Sequence, residues 1–570
     1  MTPTDLIGDA VADAPGEPLD PVLSPRLPTS LPVSVAILVA ILVGVFWLTD
    51  TDGFLSTDVG GKIATLEAMA QRGDLRPDLG YWAESVDPDG SLYPMWSTTH
   101  IGDQWVNATT LPMIYAAYPL YRIGGARLAG LVPLVGTVVA ALGARAVARR
   151  LGGEGRATFW IVGLASPATV YALDFWEHSI GLASMVWGVA FGLDASRPGG
   201  SWRRAAAAGA VFGLAASMRQ EALVYGAVTG TAMGVRLLAG RHPLTAVGRG
   251  LAMATATVLA LAANVGLEIA ATGASLRSGR TVGTAGAAGS DVGTRVQEAF
   301  VTGLSPFART DVASLTISLL LVLLLAELGR RAHAGPAEQR LVLIGLGAIA
   351  LVMVLDLVAG GLGFVPGLVA TTPVAALGLS RLGGGGDRRL VAVVAAGSLP
   401  LVWAVQFTGG AGPQWGGRYI LTSGALLVAL AATGLSAPPA RSVLRGVAIG
   451  GLVVTLAGVA WTVQRSHAFA DAMTELADRD EPALVFHDPF MSREAGALVI
   501  GEHWLSATGP EARAEAVAAL AELGIDEVGF VDREDGGARR ALPGWTAVNE
   551  ERVELVSGLA LRVTTWRAAG

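Results

Sequence analysis

Long apolar segments separated by short polar connections occupy most of this chain from residue 31 to residue 461. A helix that crosses a membrane needs about 20 mainly apolar residues. By that criterion the pattern predicts about 13 spans, of which the fifth is short. They are Leu31–Leu48, Ala129–Ala148, Ala157–Leu173, Ile180–Leu193, Ala205–Ala216, Ala222–Leu238, Leu251–Ala270, Val312–Leu328, Leu341–Val358, Leu362–Leu379, Leu390–Val405, Tyr419–Leu435 and Gly446–Trp461. The aromatic, proline-containing segment Leu111–Tyr121 is predicted to lie along the membrane interface.

Arginines mark alternate connections and so predict the orientation of the chain. Basic residues favour the cytoplasmic side of a membrane. The arginine-rich loops hold Arg145, Arg149, Arg150 and Arg156; Arg197, Arg203 and Arg204; Arg236, Arg241 and Arg249; Arg330, Arg331 and Arg340; Arg381, Arg388 and Arg389; and Arg441 and Arg445. The N-terminus is therefore predicted to be cytoplasmic and the C-terminus outside. A single helix over 205–238 would turn the later arginine-rich loops outward, so the pattern favours a turn at 219–221.

The chain divides into three predicted regions. Residues 1–30 are acidic and proline-rich, which predicts a disordered cytoplasmic tail. Residues 31–463 predict an α-helical polytopic membrane domain with a long outer loop over 50–127. Residues 464–570 have soluble composition and predict a small extracytoplasmic α/β domain. In it, Ala483–His487 and Glu527–Val531 alternate like strands, and Glu511–Leu523 has the pattern of an amphipathic helix that ends at Gly524.

Composition agrees with a multi-pass protein of the plasma membrane. Hydrophobic residues make up 52% of the chain and charged residues 15%, and the mean hydropathy is +0.52. The net charge of −7 and the lack of a basic tract argue against nucleic-acid binding. The chain has no cysteine, which excludes disulfides, thiolate metal sites and a cysteine nucleophile.

Four polar clusters interrupt the apolar sequence, and the predicted topology places all of them at the outer face. Ionisable residues at membrane depth are costly and therefore indicate function. The first cluster, after the first span, holds Asp50, Asp52, Asp58 and Lys62. Asp58 precedes a helical pattern, so it is either a helix N-cap or a general base that deprotonates an acceptor hydroxyl.

The second cluster, Asp174, Trp176, Glu177 and His178, ends the third predicted span. Two carboxylates and an imidazole in five residues could bind a divalent cation such as Mg²⁺ or Mn²⁺, or orient sugar hydroxyls. The spacing matches no specific metal motif. The alternative is that Trp176 only anchors the chain at the membrane interface and that its polar neighbours face the aqueous side.

The third and fourth clusters each contain an arginine in an outer turn. Arg219 and Glu221 lie between two apolar helices, where the arginine either reaches the lipid headgroups or grips a phosphate. The fourth cluster contains Gln414, Trp415, Arg418 and Tyr419 around two glycines. Glycines let the backbone approach a ligand, and Trp415 could stack on a sugar ring or an isoprenoid. An ordinary outer turn is the alternative.

These motifs and their order resemble the GT-C superfamily of membrane glycosyltransferases, including proteins similar to protein O-mannosyltransferases and aminoarabinose transferases. The resemblance covers residues 31–463. It implies that an early acid of the first outer loop, Asp58 or its neighbours Asp50 and Asp52, is the catalytic base. The chain departs from the family in lacking an Asp-Glu pair after the first span and a WWDYG-type motif, which argues against the protein O-mannosyltransferase and oligosaccharyltransferase branches.

The resemblance implies an inverting transfer from a polyprenyl-phosphate-linked sugar to a glycan, lipid or protein acceptor. Lys62, Arg219 and Arg418 would stabilise the departing phosphate. Two other classes stay open. A transporter or flippase of an anionic lipid-linked saccharide would use the same arginines to select a headgroup, and a glycan ligase would also suit long outer loops.

Overall fold

A computed structural model describes residues 30–53, 57–276, 292–307, 309–360, 366–405, 415–435, 438–534, 542–556 and 559–569. The predicted tail and Gln414 lie outside these residues, apart from Ser30 at the end of the tail. The helices from the first span to the last are Leu31–Phe46, Thr57–Arg72, Leu111–Ala129, Leu131–Arg150, Gly155–Leu164, Pro167–Tyr171, His178–Ser196, Trp202–Met218, Glu221–Ala239, Pro243–Thr272, Val292–Gly303, Val312–Arg330, Pro336–Gly360, Leu368–Thr371, Pro373–Leu379, Gly386–Val405, Leu421–Gly434 and Ala440–Ala477.

The helical part is a multi-pass membrane protein. Within the described ranges, eight helices are long and apolar enough to cross a membrane, and the shorter helices Leu31–Phe46 and Leu421–Gly434 are also apolar. Large apolar side chains such as Leu244, Leu341 and Val358 are more than three-quarters exposed. Contiguous apolar surface of this kind suits lipid rather than water. The predicted class of fold, an α-helical polytopic membrane protein, is therefore confirmed, whereas the predicted number of about 13 spans stays a prediction.

Two predicted spans are broken rather than continuous. The segment predicted over 157–173 forms Gly155–Leu164 and Pro167–Tyr171. The described part of the segment predicted over 362–379, which begins at residue 366, forms Leu368–Thr371 and Pro373–Leu379. In each case the second helix begins at a proline, which cannot donate the backbone hydrogen bond that would continue the first helix. The apolar pattern predicts burial here but does not reveal the break. The predicted turn at 219–221 is present, since one helix ends at Met218 and the next begins at Glu221.

The C-terminal region is an α/β domain, as predicted. Its sheet has strands β3 (Leu484–Phe486), β4 (Trp504–Ser506), β5 (Glu527–Arg533), β6 (Trp545–Val556) and β7 (Leu559–Ala568) in the order β4-β3-β5-β7-β6. The first three are parallel, and β7 pairs antiparallel with both β5 and β6. The short helix Pro489–Arg493, the 3-10 helix Gly496–Val499 and the helix Pro510–Glu522 connect the parallel strands. The helix Ala440–Ala477 runs from the bundle toward this sheet past the predicted boundary at 463, which stays a prediction.

The first outer loop packs against the C-terminal domain. It contains the helix Thr57–Arg72 and a hairpin of β1 (Thr98–Ile101) and β2 (Gln104–Asn107). Ala64, Met95 and Trp105 of this loop share one hydrophobic core with Met473 and Phe486. Apolar burial across this contact, at roughly 25 cal/mol per Å², joins two segments that lie about 400 residues apart. One face of the protein, which the arginine pattern predicts to be the outer face, is therefore built from both.

Candidate functional site

Ion pairs join three of the predicted clusters. Lys62 Nζ lies 2.6 Å from Glu177 Oε2. Arg219 Nη1 lies 3.4 Å from the other oxygen of Glu177, and Arg219 Nε donates to Glu221 Oε1 at 3.0 Å. All four side chains are at least nine-tenths buried. Because breaking a buried pair leaves an uncompensated charge, this network fixes the positions of its members.

The fourth cluster meets this network through aromatic rings. The guanidinium carbon of Arg418 lies 5.4 Å from the Trp176 ring and 4.7 Å from the Tyr419 ring, and that of Arg219 lies 4.8 Å from the same Tyr419 ring. Among the residues that the structure describes, Arg418 has no carboxylate partner within ion-pair distance. Two guanidinium groups beside one ring, one of them without a carboxylate partner, form an arrangement of charge that favours an anion.

A close backbone approach places Arg418. Gly416 and Gly417 both have positive φ, +72° and +65°. A Cβ on Gly416 would overlap the ring of Pro167. Tyr171, four residues after that proline, donates a hydrogen bond from its hydroxyl to Trp415 O at 2.8 Å. The broken helix at Pro167 is thus what the fourth cluster packs against, and glycine is required there because of both space and backbone conformation.

Asp58 lies in the first turn of the helix Thr57–Arg72 and points to the same charges. Arg493 Nη1 donates to Asp58 Oδ1 at 3.2 Å. Burial would raise the pKa of the Asp58 carboxyl, but Arg493, Lys62, Arg418 and Arg219 outweigh it and lower that pKa. The Asp58 side chain is nevertheless 42% exposed, against 7% for Glu177 and 2% for Glu221. It is therefore an ionised acid that a ligand can reach.

The other two acids of the first loop have different neighbours. Asp50 Oδ1 accepts from the backbone N–H of Asp52 at 3.0 Å, and Asp50 Oδ2 lies 3.7 Å from His467 Nδ1. The Asp50 backbone N–H donates to Ser466 Oγ. Burial and the charge of Asp50 raise the pKa of Asp52, which Arg127 opposes. Asp50 thus faces the last long helix and Asp52 lies near Asp50 and Arg127, whereas Asp58 faces the cation cluster.

The remaining predicted site residues are largely enclosed. Trp176 is fully buried, and its ring meets His178 edge-on at 4.1 Å. His178 stacks on Tyr171 with ring centroids 4.9 Å apart, and neither of its nitrogens has a hydrogen-bond partner among the described residues. Asp174 accepts from the backbone N–H of Phe175. The roles of Asp174, Trp176 and His178 in substrate binding stay predictions. Because Trp176 is buried and Arg418 lies over its ring, Trp176 would affect a ligand through the position of Arg418.

The predicted divalent-cation alternative finds no geometric support in the described ranges, where no group of three His, Asp or Glu side chains could hold a metal ion. Glu177 already faces Lys62 and Arg219. Cationic neighbours at both oxygens repel a metal ion, which explains why three candidate ligands in five residues do not form a site.

Sequence reasoning missed the residues that the C-terminal domain contributes. Arg493 is 2% exposed and also donates from Nη2 to Asn107 Oδ1 at 3.0 Å. Its neighbour Glu494 lies 3.3 Å from Arg465 Nη2. Burial raises the pKa of Glu494 to about 7, with Arg465 opposing. The sequence signal was two adjacent opposite charges, Arg493 and Glu494, ahead of the apolar run 495–500.

The fold and the site together define a multi-pass membrane protein whose charged cluster lies between its helices and a C-terminal α/β domain. No protein-family model and no curated protein sequence matches the chain. Two solved structures with a similar fold are GT-C membrane glycosyltransferases, the superfamily that the sequence resembles. The archaeal oligosaccharyltransferase AglB from Archaeoglobus fulgidus, in complex with an inhibitory peptide and a dolichol-phosphate, has 10% identity and a TM-score of 0.42, over 87% of this chain and 69% of that one.

The second, ArnT from Cupriavidus metallidurans bound to undecaprenyl phosphate, has 14% identity and a TM-score of 0.40, over 94% of this chain and 98% of that one. Both similarities concern the fold. What these two proteins bind is a property of theirs, and the function of this chain has to come from its own side chains.

Proposed function

We propose that this protein transfers a sugar from a polyprenyl-phosphate-linked donor to an acceptor hydroxyl at the outer face of the plasma membrane, with inversion. The observation behind the proposal is Arg418, a half-buried guanidinium beside a second arginine and without a carboxylate partner among the described residues. Such a group favours an anion, and a phosphate is the anion that a membrane-embedded transferase meets on its donor.

Unsatisfied donors support a phosphate at this position. Arg219 Nη2 and Arg418 Nε are buried and have no hydrogen-bond partner in the described part of the chain. Buried polar atoms are nearly always satisfied, so orphans of this kind call for a ligand or an ordered water. Charge-assisted hydrogen bonds to a phosphate would satisfy both. Lys62, paired with Glu177, supplies positive potential nearby rather than a direct contact.

An apolar cavity next to the fourth cluster suits the isoprenoid chain of such a donor. Its volume is about 660 Å³, and its walls include Leu325, Met353, Val369 and Val454. Met353 and Val454 also pack against the hydrophobic cluster that contains Trp415. A lipid tail in this cavity would therefore end close to the arginine that binds its phosphate.

Asp58 is the proposed base. Its carboxylate would take the proton of the acceptor hydroxyl as that oxygen forms a bond to the anomeric carbon. The bond from that carbon to the phosphate oxygen breaks on the opposite face, and the electron pair leaves with the phosphate. Arg418 and Arg219 stabilise the charge that develops there. Each step uses groups of this chain, and the anomeric configuration inverts once.

Arg418→Gln tests the donor site. Undecaprenyl phosphate is titrated onto the purified protein in nanodiscs, and its release is followed from a panel of undecaprenyl-phosphate hexoses and pentoses. Loss of one charge-assisted contact, about 1.5–3 kcal/mol, should weaken undecaprenyl phosphate binding about tenfold or more. Arg389→Gln is the control, since Arg389 is an exposed arginine in the first turn of the helix Gly386–Val405, on the predicted cytoplasmic side. Equal affinity of the Arg418 variant and wild type would remove the phosphate site.

Sealed vesicles that contain the purified protein separate an enzyme from a transporter. A transferase releases undecaprenyl phosphate when donor and acceptor are on the outer side, and the lipid stays in its leaflet. Movement of the intact lipid-linked saccharide across the vesicle, without release of undecaprenyl phosphate, would favour the flippase.

A further inference from the structure

We propose that Arg493 of the C-terminal domain is a positioning residue that orients the Asp58 carboxylate, so that the outer domain is a working part of the catalytic apparatus. The inference rests on the proposed role of Asp58 as the base. It adds a residue from a region that lies 435 positions away in the sequence.

The guanidinium of Arg493 is held on two sides. Nη1 contacts Asp58, and Nη2 contacts Asn107 Oδ1 at 3.0 Å. Asn107 is itself fixed, because its amide donates to Trp96 O at 3.1 Å and to Thr98 Oγ1 at 2.9 Å. A planar guanidinium with two anchored contacts has little freedom. The carboxylate of Asp58 is consequently held in one orientation relative to the cation cluster.

The backbone at Arg493 is equally constrained. A Cβ on Gly60 would overlap Arg493 O, and a Cβ on Gly61 would crowd the Arg493 side chain. Ser492 donates a hydrogen bond from its hydroxyl to Pro94 O in the first outer loop. The two glycines of the helix that carries Asp58 and Lys62 therefore make room for this segment, and the domain cannot shift without moving Asp58.

A purely structural tie between domain and loop is the competing explanation. Burying an arginine costs several kcal/mol unless it is well paired, and an apolar contact would join the two parts as firmly. The effect of its positive charge on Asp58 explains why an arginine stands at position 493 better than a purely structural role does. Arg493 is the largest of the positive influences that lower the pKa of Asp58, ahead of Lys62, Arg418 and Arg219. The carboxylates that oppose them near Asp58 are Glu177 and Glu494.

The experiment compares Arg493→Gln and Arg493→Lys with wild type, over a range of pH. The readouts are undecaprenyl phosphate release from the donor panel and undecaprenyl phosphate binding. For Arg493→Gln we expect kcat to fall about tenfold or more, while affinity for undecaprenyl phosphate at neutral pH stays within about twofold of wild type. Because a positive charge is lost, the pKa of Asp58 should rise, and the acid limb of kcat/KM should move to higher pH. Arg493→Lys should keep the wild-type acid limb but not the full kcat.

Arg513→Gln is the matched control, since Arg513 is a buried arginine of the same domain that pairs with Asp532 away from the cluster. It should lower Tm without moving the acid limb.

Should Arg493→Gln not fold, Arg493→Lys and Asn107→Ala test the inference instead. Asn107→Ala frees the Arg493 guanidinium while keeping its charge, so it should lower kcat without moving the acid limb. Wild-type kcat and acid limb in the Arg493 variants, or effects that only follow Tm as in Arg513→Gln, would overturn the positioning role. If Asp58→Asn is fully active, Asp58 is not the base, and the part of the proposed function on which this inference rests fails instead. If Asp58→Asn is inactive and Arg493→Gln is not impaired, only the present inference fails.

Discussion

The substitution Asp58→Asn distinguishes a catalytic role of Asp58 as the base from a purely structural role. The substitution keeps the shape of the side chain and removes its ability to accept a proton at neutral pH. The carboxylate is ionised in the free protein, because four cations lower its pKa. The variant therefore removes a functioning base rather than a group that was already protonated.

The expected effects on rate and on stability differ enough to be told apart. A general base contributes about 10²–10⁴-fold, which corresponds to about 3–5 kcal/mol of transition-state stabilisation. The structural loss is the charge on the contact with Arg493. Hydrogen bonds to charged groups are worth about 1.5–3 kcal/mol, and the 42% exposure of Asp58 reduces this to about 1 kcal/mol. A helix N-cap would predict almost no change, since Asn caps about as well as Asp.

The assay measures undecaprenyl phosphate release in nanodiscs, together with undecaprenyl phosphate affinity and Tm. We expect release to fall at least about 100-fold, with affinity retained because the arginines hold the phosphate. Asp50→Asn and Asp52→Asn are the controls. Asp50 lies near His467 and Asp52 near Arg127, away from the cation cluster, so both variants should keep near-normal rates. Full activity of Asp58→Asn with loss in either control would move the base to that residue. Full activity of all three variants would refute the transferase mechanism.

Three further outcomes are expected. Gly416→Ala should lower stability by at least about 2 kcal/mol, read as a lower Tm, because an L side chain at φ +72° is strained and its Cβ meets a proline ring. Glu494 has a pKa of about 7 in the folded protein against 4.5 unfolded, so wild type loses stability as pH rises between those values, and Glu494→Gln should flatten that part of the Tm profile. In intact cells, an impermeant thiol reagent should label Ala514→Cys and not Arg149→Cys, and the reverse result would overturn the predicted orientation.

Much of the membrane part could be predicted from the sequence, because a helix that spans a membrane needs a sufficiently long run of apolar residues. Helices such as His178–Ser196 and Glu221–Ala239 follow directly from apolar runs of sufficient length. Arginine asymmetry predicted the turn between Met218 and Glu221, where an apolar pattern alone would permit one long helix. Lys62, Glu177 and Arg219 were singled out because charge in an apolar sequence is expensive, and the structure brings these three into contact.

The rest of the site depends on contacts that no local pattern encodes. Pro167 breaks a predicted span, and the hydropathy of the segment is the same with or without the break. Arg493 reaches Asp58 only because the first outer loop and the C-terminal sheet share a core. The adjacent charges of Arg493 and Glu494 ahead of an apolar run are only a weak signal, since most charged residues of a soluble segment are solvated.

If the donor phosphate binds at Arg418 and Arg219, as proposed, the charges of the cluster link donor binding to the strength of the base. Arg418 and Arg219 lower the pKa of Asp58, so in the free protein its carboxylate is a weak base. A phosphate bound to the same arginines adds negative charge beside Asp58 and offsets part of their field, which raises that pKa. The base would then gain proton affinity only once the donor is in place. Because kcat/KM reports the free enzyme and kcat the bound complex, the acid limb of kcat should lie at higher pH than that of kcat/KM. Coincident limbs would mean that the phosphate binds away from Arg418 and Arg219, or that Asp58 is not the group that titrates.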